Sequence, residues 1–169
     1  MDRTLELILY VAQHSEKKTV YWVLKSIYYA DRFHTLKYGR RLHDDEYIAM
    51  EDGPVGSYAY DLFKNVKFGE SRKFVRGYEV AKGQFSVDGD EISPLRDYDA
   101  TALSESELEC LAEAITLTNK MSFKQLADYS HDPAWQVAPS NRPMSIESII
   151  SAMEGGEEAL PYLKERMAV

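Results

Sequence analysis

The stretch from Thr19 to Tyr58, TVYWVLKSIYYADRFHTLKYGRRLHDDEYIAMEDGPVGSY, constrains the fold more than any other. Val20, Val23, Leu24, Ile27, Ala30 and His34 recur at steps of three and four, the period of one helix face. The spacing predicts a long helix from Thr19, as N-cap, to about Tyr38. Gly39 is placed to close it in the left-handed conformation, and Arg40 and Arg41 lie at the negative end of its dipole. Residues 40–52 lose that period. His43-Asp44-Asp45-Glu46 reads as a solvated loop, and Tyr47 to Met50 as a short extended piece. Gly53-Pro54-Val55 reads as the start of a second helix, because proline suits the first helical position. That helix turns Val55, Tyr58, Ala59, Leu62, Phe63 and Val66 inward.

Tyr28, Tyr29, Phe33 and Tyr38 widen the apolar stripe of the first of these helices, so it should be covered on more than one side. Asp31 falls four residues after Ile27, on the core face, where an unpaired carboxylate is costly. His34 and Tyr38 follow on the same face, within reach of a shared polar cluster with Asp31. The residues support a structural network, a partner-binding role or a metal or acid–base site. Carboxylate and imidazole at i, i+3 supply two ligands where metal sites usually take three or four. The adjacent acids at 44–46 lack the alternation and internal glycine of a hard-cation loop.

Charge narrows the choice of partner. Residues 1–83 carry 14 Lys/Arg against 12 Asp/Glu, and residues 84–169 carry 6 against 16. An acidic second half argues against general phosphate binding, so no direct nucleic-acid contact is expected, and it suits a basic protein partner. No run of 18 apolar residues is present, and the opening MDRTLELILYVAQ lacks the pattern of a secretory signal. With the lone Cys110, these features point to a cytoplasmic protein without a membrane partner.

The rest of the chain reads as helices around one β insert. Residues 2–14 form a first helix, with Leu5, Ile8, Leu9 and Ala12 as its stripe. Over 68–99 the helical period gives way to recurring glycines. Phe74 to Val80, Gln84 to Val87 and Ile92 to Leu95 look like strands, with Asp88-Gly89 as a two-residue hairpin turn. Capping boxes at Ser104/Glu107 and Ser122/Gln125 start two helices, the first with Leu108, Leu111, Ala112 and Ile115 inward. Pro133 follows the second, His131 sits at its C-terminal end for the dipole, and Trp135 is a large apolar anchor. A helix capped by Ser145 ends at Gly155-Gly156. A short amphipathic helix carries Leu160, Leu163 and Met167 before a frayed tail, Met167 to Val169. The expectation is a mainly α (α+β) domain spanning 1–169, of six to seven helices with a small antiparallel β-hairpin insert.

No dinucleotide fingerprint, P-loop, zincin or nucleophile-elbow motif is present, and the 12 tyrosines favour a binding module over an enzyme. The run YYADRFHTLKYGRRLHDDEYIAMEDGPVGSYAYDLF, then LSESELECLAEAI, then SFKQLADYSHDPAWQ, resembles the Panacea antitoxin domain. This is the SocA-like antitoxin family, also seen in phage-associated proteins. The resemblance covers about residues 20–137, leaving the β insert at 68–99 and the helical extension at 138–169 weakly matched. It implies a mainly helical fold and no enzymatic activity. The implied role is neutralisation of a cognate protein toxin, encoded nearby, by direct binding. In the SocA type the antitoxin is also a proteolytic adaptor that delivers the toxin to ClpXP (ClpX with ClpP). No cofactor, catalytic residue or metal ligand is implied. Tyr28, Asp31, His34, Tyr38, Gly39, Arg40, Gly53, Pro54, Val55, Tyr58 and Trp135 match family positions, as fold-defining or partner-binding residues. The alternatives are a phage or mobile-element regulatory adaptor without a toxin, and a metal-dependent hydrolase using Asp31, His34 and the cluster at 43–46.

Overall fold

The computed structural model describes residues 1–167, so the expected fraying at 168–169 lies outside the described residues. The chain is mainly helical, with two small antiparallel sheets. In order, it forms α1 (Arg3–His14), α2 (Val20–Tyr38), β1 (Tyr47–Met50), β2 (Gly53–Gly56) and α3 (Ser57–Phe68). A 3₁₀ turn (Gly69–Arg72) leads to α4 (Tyr78–Ala81), β3 (Phe85–Asp88), β4 (Glu91–Pro94) and α5 (Glu105–Asn119). Then come α6 (Phe123–Ser130), α7 (Pro133–Val137), α8 (Ile146–Ser151) and α9 (Gly156–Met167). The mainly α architecture with a β-hairpin is therefore as expected. Single-turn helices at Tyr78–Ala81 and Pro133–Val137 take the number to nine among the described residues.

The first helix is not half-exposed. Every residue from Thr4 to Ala12 is buried, because α2, α3, α5 and β4 all pack on it. Its one buried acid, Glu6, is answered by Arg96 at 2.6 and 3.2 Å and by the Asp99 N–H at 2.7 Å. The α2–α5 pairing forms the other side of the core. There Ser26 and Thr118 share a hydrogen bond of 2.8 Å, and the Trp22 indole donates to the Thr118 carbonyl at 3.1 Å. Ala112 faces out from α5, and Cys110, Ala114 and Thr118 are buried in its place.

Several expected local features are corrected. Gly53-Pro54-Val55 does not start a helix. It is β2, paired with β1 in the register Ile48↔Val55 and Met50↔Gly53, and the helix begins at Ser57. Proline is tolerated here because its ring faces the outer edge of the ladder, where no N–H is called for. The other edge is occupied by residues 141–144, through Ala49 N–H to the Arg142 carbonyl at 3.0 Å and Met144 N–H to the Tyr47 carbonyl at 2.8 Å. No strand forms over Phe74 to Val80. Gly77 turns left-handed there (φ 80°), Arg72 and Arg76 are tied to Asp61 of α3, and Phe74 stands 93 % exposed. The hairpin loop is Gly89-Asp90, one residue later than expected, since Asp88 pairs with Glu91. Thr19 is the N-cap of α2, yet its hydroxyl makes no cap bond. The Asp90 carbonyl takes the Val20 N–H instead, at 2.8 Å. The helix that Ser145 caps ends at Ser151, and Gly156 begins α9.

Candidate functional site

Asp31, His34 and Tyr38 do not share one cluster. The Asp31 carboxylate accepts from both Arg41 nitrogens at 2.7 and 3.1 Å, from the Leu42 N–H at 2.7 Å and from the Tyr47 hydroxyl at 2.8 Å. Three of these bonds fall on Oδ2 and the Leu42 N–H falls on Oδ1, so both carboxylate oxygens are met from the segment that follows α2. His34 lies beyond that knot. Its Nδ1 faces the Arg40 carbonyl at 2.8 Å and its Nε2 the Ser106 hydroxyl at 3.1 Å. A carbonyl only accepts, so Nδ1 carries the proton and Nε2 accepts from Ser106. Tyr38 stacks near His34, with ring centroids 4.9 Å apart, and donates to Glu109 at 3.0 Å. Gly39 is left-handed (φ 69°), and Arg40 reaches Glu107 at 2.8 Å. Tyr28 is fully buried, edge-on to Tyr29 and Tyr47, and its hydroxyl accepts from Arg32 at 3.3 Å.

The run His43 to Glu46 is not a solvated loop. Burial alternates, with His43, Asp45, Tyr47 and Ala49 inside and Asp44 and Glu46 outside. Asp45 supplies the cap that Gly56 cannot, accepting from the Tyr58 and Ala59 N–H groups at 2.8 and 2.9 Å. Tyr58 in turn donates through its hydroxyl to Asp2 at 2.6 Å. His43 lies between Thr4 at 2.9 Å and Tyr47 at 3.1 Å. Since Tyr47 gives its proton to Asp31, it accepts from Nε2–H of His43, and Nδ1 accepts from Thr4. Burial lowers the His43 pKa from its ordinary value, which favours this neutral form. The space beside Asp31 and Tyr47 is only about 10 Å³, too little for a substrate. Among the described residues no three His, Cys, Asp or Glu side chains are grouped to hold a metal ion.

A larger space with chemistry in it lies elsewhere. A groove of about 550 Å³ runs between the first turn of α2, the β1–β2 turn and the start of α6. Tyr21, Trp22, Tyr60 and Phe123 line it, with Glu51, Asp52 and Asp90 among the polar residues and Lys25 at its base. Tyr21 and Phe123 lie 4.6 Å apart by ring centroids, and Tyr21 meets Trp22 edge-on at 5.4 Å. Lys25 is fully buried and donates to the Pro54 carbonyl at 2.7 Å. Desolvation pulls its ammonium down to about 7, with Asp52 opposing the shift. Gly53 is left-handed (φ 105°) at this contact. A Cβ there would sit 2.8 Å from the Lys25 Nζ and 2.0 Å from the Ser130 hydroxyl. Trp135 secures the same turn from behind by donating to the Met50 carbonyl at 2.7 Å. Its ring stacks on His131 at 3.8 Å, and His131 Nε2 lies 2.8 Å from the Glu51 carbonyl.

Residues 23–136 match the family described as Antitoxin SocA-like, Panacea domain. The chain belongs to this family. Comparison with curated proteins and with solved structures found no match. The Panacea match runs from within α2 to within α7, so it contains the Asp31 knot and the β1–β2 turn. Tyr21 and Trp22 lie just before it.

The sequence pointed to Gly53 and Val55, which line this groove, and to Pro54 and Trp135, which support its turn, but not to Lys25, Glu51, Asp52 and Phe123, which complete it. Two signals were available. Lys25 is the lone cation of the first half of α2, one residue after the core position Leu24. Phe123 opens a capped helix whose buried stripe is Leu126 and Ala127.

Proposed function

We propose that this Panacea-family protein is an antitoxin that neutralises a cognate protein toxin by direct, non-enzymatic binding, through the aromatic face shared by α2 and α6. The supporting observation is the pairing of exposed rings on α6 with rings on α2. Phe123 is 46 % exposed and sits against Tyr21, and Tyr129 is 51 % exposed and sits 5.4 Å from Tyr29. Half-exposed aromatics on a rigid helical base are the usual anchors of protein interfaces, offering large area at little entropic cost. The rest of α2 is buried from Val23 to Arg32, which leaves its two ends and α6. The alternative contact, the 74–95 insert, exposes Phe74 and Leu95 at its two ends, and between them the hairpin shows mainly Ser86, Asp88, Asp90, Glu91 and Ser93 rather than paired rings.

The test is co-expression with the product of the neighbouring gene. Growth is rescued by the wild-type protein and lost with Phe123→Ala/Tyr129→Ala, both exposed positions whose removal leaves the fold intact. Failure of the wild-type protein to rescue refutes the antitoxin reading. Delivery to ClpXP is the second step that the family resemblance implies. It is read separately, as a shorter toxin half-life when ClpX, ClpP and the antitoxin are all present.

A further inference from the structure

The groove between α2 and the β1–β2 turn is apolar on its walls and acidic on its rim. Its walls are the rings of Tyr21, Trp22 and Phe123. On its rim, Asp90 is already matched by Lys67 at 2.8 Å. Glu51 and Asp52 lack such a pair, although the buried Lys25 lies near enough for Asp52 to act on its charge. Their backbone carbonyls are taken by His131, Tyr21 and Ser130, while their carboxylates stand exposed with no ion pair among the described residues. The same rings already attract cations of this chain. Lys17 lies 4.8 Å over Trp22, and Lys25 lies 5.2 Å from the Tyr21 ring. Electron-rich ring faces beside free carboxylates favour a cation carried on an apolar stem.

Resting on the antitoxin reading for who the partner is, we propose that this groove takes a basic side chain, arginine or lysine, presented by a partner protein. Its stem lies along Tyr21, Trp22 and Phe123, and its charged head meets Glu51 and Asp52. A fully exposed cation paired with one carboxylate gains little in water. Here the aromatic walls shield the pair, and two carboxylates share one charge. The net charge of −8 favours the approach of a basic surface over long range.

The probe is an acetylated, amidated arginine–leucine peptide, titrated into the isotopically labelled protein and followed by NMR. Glutamate–leucine and serine–leucine peptides of the same length serve as comparisons. Saturable shifts are expected at the Trp22 indole and the Glu51–Gly53 amides with the arginine peptide alone. Glu51→Gln/Asp52→Asn weakens that binding by about tenfold while the remaining resonances stay in place. Three results overturn the proposal: no shift with the arginine peptide, equal binding by the double variant, or equal binding of either comparison peptide. Shifts at these residues that grow with protein concentration, without peptide, assign the groove to self-association and also overturn it. Repeating the co-expression rescue with the same variant separates the two readings. Undiminished rescue refutes the groove and leaves the antitoxin. Peptide binding by a protein that rescues nothing refutes the antitoxin and leaves the groove.

Discussion

Lys25 makes the stability of this protein depend on pH in a direction most proteins do not show. Its side chain is fully buried with a single hydrogen bond, to Pro54, and its pKa falls from 10.5 to about 7. In the unfolded chain the ammonium keeps its proton up to the ordinary lysine value. Between about pH 7 and 10.5 the unfolded state therefore binds more protons, so unfolding becomes harder as pH rises. Across that whole window the effect is on the order of 5 kcal/mol, and from pH 7 to about pH 9 it is about 2 kcal/mol. Cys110 opposes this at the alkaline end, because burial holds its folded thiol up to about 11 while the unfolded thiol ionises near 9; by pH 9 this takes back less than about 1 kcal/mol, and it is common to wild type and variant. Lys25→Met keeps the stem and removes the charge, leaving the Pro54 carbonyl without its donor at a cost of about 1 kcal/mol. Urea unfolding at pH 7, 8 and 9 is the assay. The wild-type protein gains stability along that series, and the variant stays flat relative to it. Parallel pH curves for the two proteins would refute the reasoning, because Lys25 would then not be the group that titrates.

Three further outcomes follow from buried groups. Asp31→Ala strands Arg41, the Tyr47 hydroxyl and the Leu42 N–H together and lowers stability by about 3–5 kcal/mol; an unchanged thermal midpoint would show the knot to be dispensable. Tyr29→Phe removes a buried hydroxyl with no partner, and raises stability by about 1 kcal/mol in urea unfolding; a loss of that size would mean the hydroxyl is satisfied. Gly53→Ala combines a left-handed backbone with a Cβ against Ser130 and Lys25, and costs about 2–3 kcal/mol. Adding Ser130→Gly relieves the closest contact and leaves the backbone part and the Lys25 contact, so a double variant as stable as wild type would refute the conformational argument.

The sequence by itself determined the long helices and the ends that carry a local cap. Periodicity located α2 and α5, the capping boxes at Ser104 and Ser122 both form, and Gly39 closes α2 in the left-handed conformation. These are local properties, set by hydrogen bonds within a turn or two. The family was legible too, because its pattern of residues is carried in order along the chain. What only the tertiary structure decided depended on partners distant in sequence. Gly53-Pro54-Val55 has the chemistry of a helix start and becomes a strand because residues 47–50 lie beside it and Lys25, across the groove, takes the Pro54 carbonyl. His43 and Asp45 look solvated in sequence and are buried because Thr4, Tyr47 and the start of α3 satisfy them. The groove likewise joins Tyr21 and Trp22 to Glu51 and Asp52 and to Phe123, three segments that no local spacing connects. Burying a polar group is costly unless a partner meets it, and whether a partner does is a property of the assembled fold.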